Sequence, residues 1–292
     1  MWKKIIALII ILIGVGMAFY PWISNWMYNH QTESMVEAYT ASVENDPSID
    51  VEAILAEAQS YNEALLSSSV VLTDPFSYEN TESDRGADYN SVLNLDGSGL
   101  MCFIEIPKID VYLPVYHGTS SEVLEKGAGH VEGTALPIGT TGGHSVISAH
   151  TGLNTAKMFS DLTDMKEGDL FFIHILNETL AYRVVGTEVI EPDDISSLSA
   201  EEGRDLVTLL TCTPYGVNSH RLLVTGERTE YTEEIRAEAD AQEMDSGSEW
   251  MKAYRQAILA AFCIIAAAAA VMYITNKARS KRAPASGTRG KG

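Results

Sequence analysis

A mainly β domain, closed or nearly closed into a barrel, is the fold class the sequence predicts, with N-terminal helices and a transmembrane helix at each end. Three observations predict it. Seven runs rich in β-branched, aromatic and alternating apolar residues follow one another: Met101 to Ile106, Val111 to Tyr116, Ser145 to His150, Leu170 to Leu176, Leu180 to Ile190, Val207 to Cys212 and Arg221 to Gly226. Few helical patterns separate them, and closure is how many short strands avoid leaving unpaired edges. Finally, two uncharged, mostly apolar stretches of nineteen residues, Ile5 to Ile23 and Ala257 to Thr275, lie outside the strand region. As helix each is about 28 Å long, close to the roughly 30 Å of a bilayer's hydrocarbon core.

The N-terminal stretch follows Lys3 and Lys4, a pattern that a cleaved signal peptide also fits. Pro21-Trp22 and Trp26 resemble interfacial anchors more than a small-residue cleavage site, which favours a retained anchor. Lys277, Arg279, Lys281, Arg282, Arg289 and Lys291 follow the second stretch, and neither tail holds an acidic residue, so both termini are expected in the cytoplasm. The formal net charge is −20, and the chain between the two stretches carries all 40 carboxylates. So acidic a domain disfavours nucleic acid and anionic lipid as partners and suits the outside of a cell.

Between the anchors, Thr32 to Leu66 reads as helix interrupted at Asn45-Asp46-Pro47, where proline suits a new helix start. Val51, Ile54, Leu55, Ala58, Tyr61 and Leu65 then recur at helical spacing, giving the second helix one face to lay on the domain. Ser67 to Asn94 is polar and glycine-bearing, a long loop of the kind that is either disordered or functional. Within the strand region, Asn177-Glu178 marks a tight hairpin and Asp193 to Arg204 a polar surface loop. Glu227 to Glu249 is acidic and helix-prone without a consistent apolar stripe, hence a stalk. The expected organisation is an anchor over 1–28, a helical region over 29–66, a loop over 67–94, the barrel over 95–229, an acidic stalk over 230–256, a second span over 257–276 and a basic cytoplasmic tail over 277–292.

The three cysteines form no disulfide framework. Cys263 falls in the second apolar stretch, and alternation puts Cys102 on the face of Ile104 and Ile106, opposite Glu105. Cys212 differs. It ends the run Thr208-Leu209-Leu210-Thr211-Cys212, nine residues before Arg221 at the head of the next run, and His150 ends an earlier one. A thiol attacks as thiolate, a nearby cation favours that form, and an unpaired cysteine outside the cell risks oxidation, so a chemical role is the better reading. A Cys102 to Cys212 disulfide is the competing one. Arg221 offers a permanent charge and a planar fork of donors to a substrate or an oxyanion. His117, His130, His144, His174 and His220 are rivals to His150; the first three adjoin turn glycines, His174 alternates inside a strand, and His220 should face away from Arg221's side. No histidine or cysteine pair has ligand spacing and no acidic loop has the calcium pattern, so neither metal nor cofactor is expected.

The constellation of Thr208 to Cys212, Arg221 and His150 resembles the sortase family. So do Leu113-Pro114-Val115-Tyr116-His117-Gly118, Gly129-His130-Val131-Glu132-Gly133-Thr134 and Asp169-Leu170-Phe171-Phe172-Ile173-His174. Asp74-Pro75-Phe76, as a bare tripeptide no more than a turn, resembles the lid of class C, pilus-building sortases. The resemblance implies an eight-stranded barrel with Cys212, His150 and Arg221 as catalytic residues and Asp74, Pro75 and Phe76 as a lid, Asp74 engaging Arg221 and Phe76 covering Cys212. It implies a cysteine transpeptidase of a Gram-positive cell membrane that cleaves an LPXTG-like sorting signal, holds the acyl group on Cys212 as a thioester and passes it to a pilin lysine amine. A sortase that attaches surface proteins to cell-wall peptide, or a non-catalytic membrane-tethered binding domain, are the alternatives.

Overall fold

The computed structural model describes residues 2–68, 74–76, 87–153 and 156–243, with a few helical positions between 256 and 274; in the first helix some side chains lie outside the description. The chain divides into Met1–Ser246 and Gly247–Gly292. In the second unit residues 258–263 are helical and Cys263 is exposed, while most of the expected span at Ala257 to Thr275 lies outside the described residues. Among the described residues no helix is long and apolar enough to cross a membrane, so neither expected span is met there.

The first unit is built around a closed barrel of eight strands. They are β1 (Leu100–Ile106), β2 (Val111–His117), β3 (Ala128–His130), β4 (His144–Ser148), β5 (Leu170–Ile175), β6 (Glu178–Ile190), β7 (Leu206–Thr213) and β8 (His220–Thr229). Around the barrel they run β1-β2-β3-β4-β7-β8-β6-β5, antiparallel except where β2 meets β3 and β4 meets β7. Phe103, Ile104, Ile147, Phe171, Tyr182, Leu209 and Val224 belong to the buried core. Seven of these strands match the expected runs; β3 was not anticipated. Its sequence Ala128-Gly129-His130 has no alternation to read, and it pairs only because Gly129 lets the backbone come close: a Cβ there would stand 2.2 Å from the Gly118 carbonyl oxygen.

Among the described residues of this unit, five α-helices accompany the barrel: α1 (Trp2–Asn45), α2 (Val51–Leu66), α3 (Ala87–Ser91), α4 (Ser121–Lys126) and α5 (Glu233–Glu243). From Asn25 onward one stripe of α1 lies on the barrel. The Asn25 side-chain oxygen accepts from the Lys157 amide at 3.0 Å, Tyr28 donates to the Lys126 carbonyl at 2.9 Å, Thr32 is buried, and Tyr39 donates to the Met101 carbonyl at 3.1 Å. The break falls where expected but not by the expected means: α2 begins after Asp50, whose carboxylate accepts from the Ala53 amide at 3.0 Å, rather than at Pro47.

Asn62 joins α2 to the loop before β4. Its Nδ2 donates to the Leu136 carbonyl at 3.1 Å and to Thr140 Oγ1 at 2.8 Å, and its Oδ1 accepts from the Leu136 amide at 2.7 Å. Replacing Asn62 by alanine strands these buried partners, so a loss of about 2–3 kcal/mol is expected, read as a lower denaturant midpoint at unchanged slope. Part of the expected stalk is also docked: in α5, Ala239 is buried and Ile235 packs with Leu170, Phe172 and Ala181. Arg236 reaches Glu105 at 2.8 Å, and Arg183 holds Glu238 through two bonds of 2.7 and 2.8 Å. Two apolar residues and two ion pairs suffice to seat a short helix, too sparse a pattern to read as a stripe.

Candidate active site

Cys212 lies one residue before the end of β7, and in the antiparallel ladder with β8 its partner is Arg221. Directly opposed residues project to the same face, so register alone sets the guanidinium beside the thiol. His220 opposes Thr213 and so takes the other face, where its ring meets Glu191 at 3.2 Å. The parallel ladder between β4 and β7 brings in the histidine: Ser148 is level with Leu210, so His150, two residues on, is level with Cys212. Past the end of β4 the chain is still held to β7. The Ala149 amide donates to Leu210 at 3.1 Å, Thr211 Oγ1 donates to the Ala149 carbonyl at 2.7 Å, and the Thr151 and Thr211 hydroxyls are 2.6 Å apart. Sequence reading did not single out Thr211 or Thr151, whose role emerges only from the pairing of two strands about sixty residues apart.

The other histidines are occupied. Both ring nitrogens of His117 face backbone carbonyls, and His130 bonds Tyr89 and the Ala135 carbonyl. His144 bonds the Ser199 carbonyl and Thr208, and His174 bonds Thr179 and Glu105. The ring of His150, half-buried, has no hydrogen-bond partner among the described residues, which leaves its nitrogens available for proton transfer.

Asp74 closes the site from above. Its carboxylate takes both donors on one edge of Arg221, Nε at 2.8 Å and Nη2 at 2.6 Å, while Nη1 is fixed by the carbonyls of Asn218 at 3.2 Å and His220 at 3.0 Å. Phe76 lies with its ring 5.7 Å from that of His150 and 5.3 Å from the Arg221 guanidinium. It also packs on a small apolar cluster that includes Val131, Ile190 and Leu210. Pro75 is buried between the two. The described ring contacts of Phe76 are thus with His150 and Arg221, the residues flanking Cys212. The rest of the long loop, residues 69–73 and 77–86, lies outside the described residues.

The electrostatics follow from this closure. Burial pushes the Cys212 thiol up, the Arg221 charge pulls it down, and the Asp74 carboxylate pushes it up again, leaving it above its ordinary value. Burial also depresses His150, only partly countered by Glu125. Both shifts favour the neutral thiol and the neutral imidazole at rest. Cys102, Cys212 and Cys263 are all free, so the disulfide alternative falls away; Cys102 is fully buried and its thiol is pushed far up by burial alone, with no cation to lower it.

A family model for the sortase domain matches residues 104–229. The structure of sortase C-1 from Actinomyces oris superposes with a TM-score of 0.59 at 45% identity, over all of that chain and 62% of this one. The chain belongs to the sortase family. Sortase C-1 of Streptococcus pneumoniae gives a TM-score of 0.62, again at 45% identity, over 100% of its chain and 68% of this one. Among curated relatives, Sortase A of Listeria monocytogenes is 26% identical over 250 residues, which is 82% of this chain and 97% of that one. Sortase D of Bacillus subtilis is 29% identical over 128 residues, 43% of this chain, and the chain spans only 62% of its length. Sortases are cysteine transpeptidases, and the match runs through the strands that carry Cys212 and Arg221 and the turn that carries His150.

Proposed function

We propose that this sortase is a class C-type, pilus-assembling enzyme with Cys212 as nucleophile, His150 as acid and base, and Arg221 as the oxyanion and substrate clamp. In this reading it is held in the membrane of a Gram-positive cell with its catalytic domain outside and both termini in the cytoplasm. The observation that carries the class assignment is the Asp74 carboxylate seated bidentately on Arg221 with Phe76 against His150. The likeness to sortase C structures supports it.

The chemistry begins when the lid yields its place to an LPXTG-like segment of a pilin. A proton passes from Cys212 Sγ to His150, and the thiolate attacks the threonine carbonyl carbon. The carbonyl electron pair moves onto oxygen, stabilised by the Nε and Nη2 edge of Arg221 that Asp74 has vacated. As the C–N bond breaks, the imidazolium of His150 gives its proton to the departing amine, leaving a thioester on Cys212. A lysine amine of the next pilin then attacks that thioester, loses a proton to His150 and expels the thiolate, so one amide is exchanged for another.

Arg221→Lys keeps the charge but loses the planar fork. A fall in acylation rate of roughly 10²–10³ is expected, the usual cost of one lost oxyanion donor, with folding retained by circular dichroism. A variant as active as the parent would make Arg221 a structural partner of Asp74 and nothing more. The acceptor is tested by competition: purified enzyme is given a sorting-signal peptide together with a lysine-bearing pilin domain and a cell-wall peptide amine. Peptide joined to the pilin lysine is the expected product; transfer to the cell-wall amine alone would favour the anchoring reading.

A further inference from the structure

Within the stretch from Ile5 to Ile23, one broad side of α1 presents apolar side chains open to solvent, among them Ile5, Ile9, Leu12, Ile13, Met17 and Ile23 at 50–66% exposure. Apolar side chains so exposed along about 28 Å of helix need an apolar cover, which lipid supplies in the membrane placement proposed above. The barrel begins to grip the same unbroken helix at Asn25, two residues on, or about 3 Å of rise. No tether of appreciable length separates the apolar stretch from the catalytic domain.

The part of the barrel gripped first is the active-site end. Asn25 binds Lys157, seven residues past His150, and the His150 carbonyl accepts from the Phe159 amide at 3.0 Å. The turn after His150 in turn touches the loop that joins Cys212 to Arg221: a Cβ on Gly152 would stand 2.8 Å from the ring of Tyr215. That loop exposes Tyr215 (61%) and Val217 (69%), as α1 exposes Trp26 (66%) and Met27 (60%). The opposite end of the docked stripe holds the β5–β6 hairpin, where the Leu176 amide donates to Tyr39 at 3.0 Å. Tyr39 is fourteen residues, roughly 21 Å of helix, beyond Asn25.

We propose that the catalytic end of the barrel rests on the bilayer surface, with Trp26 and Met27 on α1 and Tyr215 and Val217 on the β7–β8 loop dipping into the interfacial zone beside the Cys212 cleft. The partner is a lipid bilayer, engaged through amphipathic rings and apolar side chains of the kind that settle at headgroup level. The site therefore opens within reach of the membrane instead of ranging freely above it, and favours peptide segments that lie close to a bilayer. This inference rests on the membrane placement proposed above.

The test uses the full-length chain with Cys102, Cys212 and Cys263 replaced by alanine, reconstituted in phosphatidylcholine vesicles. A spin label is placed at one exposed site, Val217→Cys or, as the distal control, Asn177→Cys. Collision with oxygen, enriched in lipid, is compared with collision with a water-soluble nickel chelate. The expected result is that the label at 217 shows at least a several-fold higher oxygen-to-nickel collision ratio than the label at 177, which reads as fully aqueous. If the chain floats with the vesicles yet both labels read as aqueous, the surface docking is overturned and the anchor stands. If the chain does not float with the vesicles, the membrane placement fails and the docking with it.

Discussion

Cys212→Ala is expected to abolish acyl-enzyme formation on a sorting-signal peptide, whereas Cys102→Ala should leave it nearly intact. The two thiols are both buried, yet their surroundings differ in kind. Cys212 sits opposite Arg221 in the ladder and level with His150, so it has a cation beside it to favour the thiolate and, in the proposed mechanism, a base to take its proton. Cys102 points into the apolar core, where burial disfavours ionisation and no counter-charge relieves it. Removing its sulfur costs some packing, an effect that denaturation would report and single-turnover acylation would not. Residual acylation in Cys212→Ala, measured by intact mass, would remove Cys212 from the mechanism.

The second large effect is expected from opening the site. Asp74→Ala combined with Phe76→Ala removes the carboxylate that occupies Arg221 and the ring that lies against His150. A small thiol reagent should then modify Cys212 roughly tenfold to a hundredfold faster, since a hydrogen-bonded charge pair is usually worth about 1.5–3 kcal/mol. A closed resting state lowers apparent reactivity by the fraction of time the site is open. The pH dependence should move as well. Burial and the Asp74 charge both hold the Cys212 thiol high, and Arg221 opposes them. Losing the first two while keeping the third lowers the pKa, so the labelling profile should shift toward lower pH in the double variant. Equal rates and superimposable profiles in parent and variant would reduce Asp74-Pro75-Phe76 to an ordinary turn.

Much of this architecture is written locally. Seven strands announce themselves by β-branched and alternating residues, and the proposed nucleophile is marked because a cysteine at a strand end nine residues before an arginine is informative even before pairing is known. What was not legible depends on contacts between distant segments. β3 has three residues and no pattern; it exists because Gly129 can meet Gly118 across the strand gap. Proline is the louder signal and points to Pro47 as the start of α2, whereas the Asp50 cap is what satisfies the free Ala53 amide. The seat of α5 is made by Ala239 and by two arginines on separate elements, so its acidic sequence reads as a stalk until the barrel is present.

The site shows the same division. The residue types and their strand ends are readable, but the coincidence of His150 with Cys212 requires the parallel pairing of β4 with β7, and the threonine staple from Thr211 to Ala149 and Thr151 follows from that pairing. The pairing of Asp74 with Arg221 crosses 147 positions of sequence. No local rule foresees it; only the resemblance to a lidded family implies it.

The central claim is that Cys212, aligned by strand register with Arg221 and His150, carries the acyl group. Its most direct test is to incubate the enzyme with an LPXTG peptide, quench in acid, and locate the adduct by tandem mass spectrometry with and without hydroxylamine. A hydroxylamine-labile acyl mass on Cys212, ending at the threonine of the peptide, is the expected result. An adduct on Cys102, an adduct stable to hydroxylamine, or turnover with Cys212 unmodified throughout would contradict it.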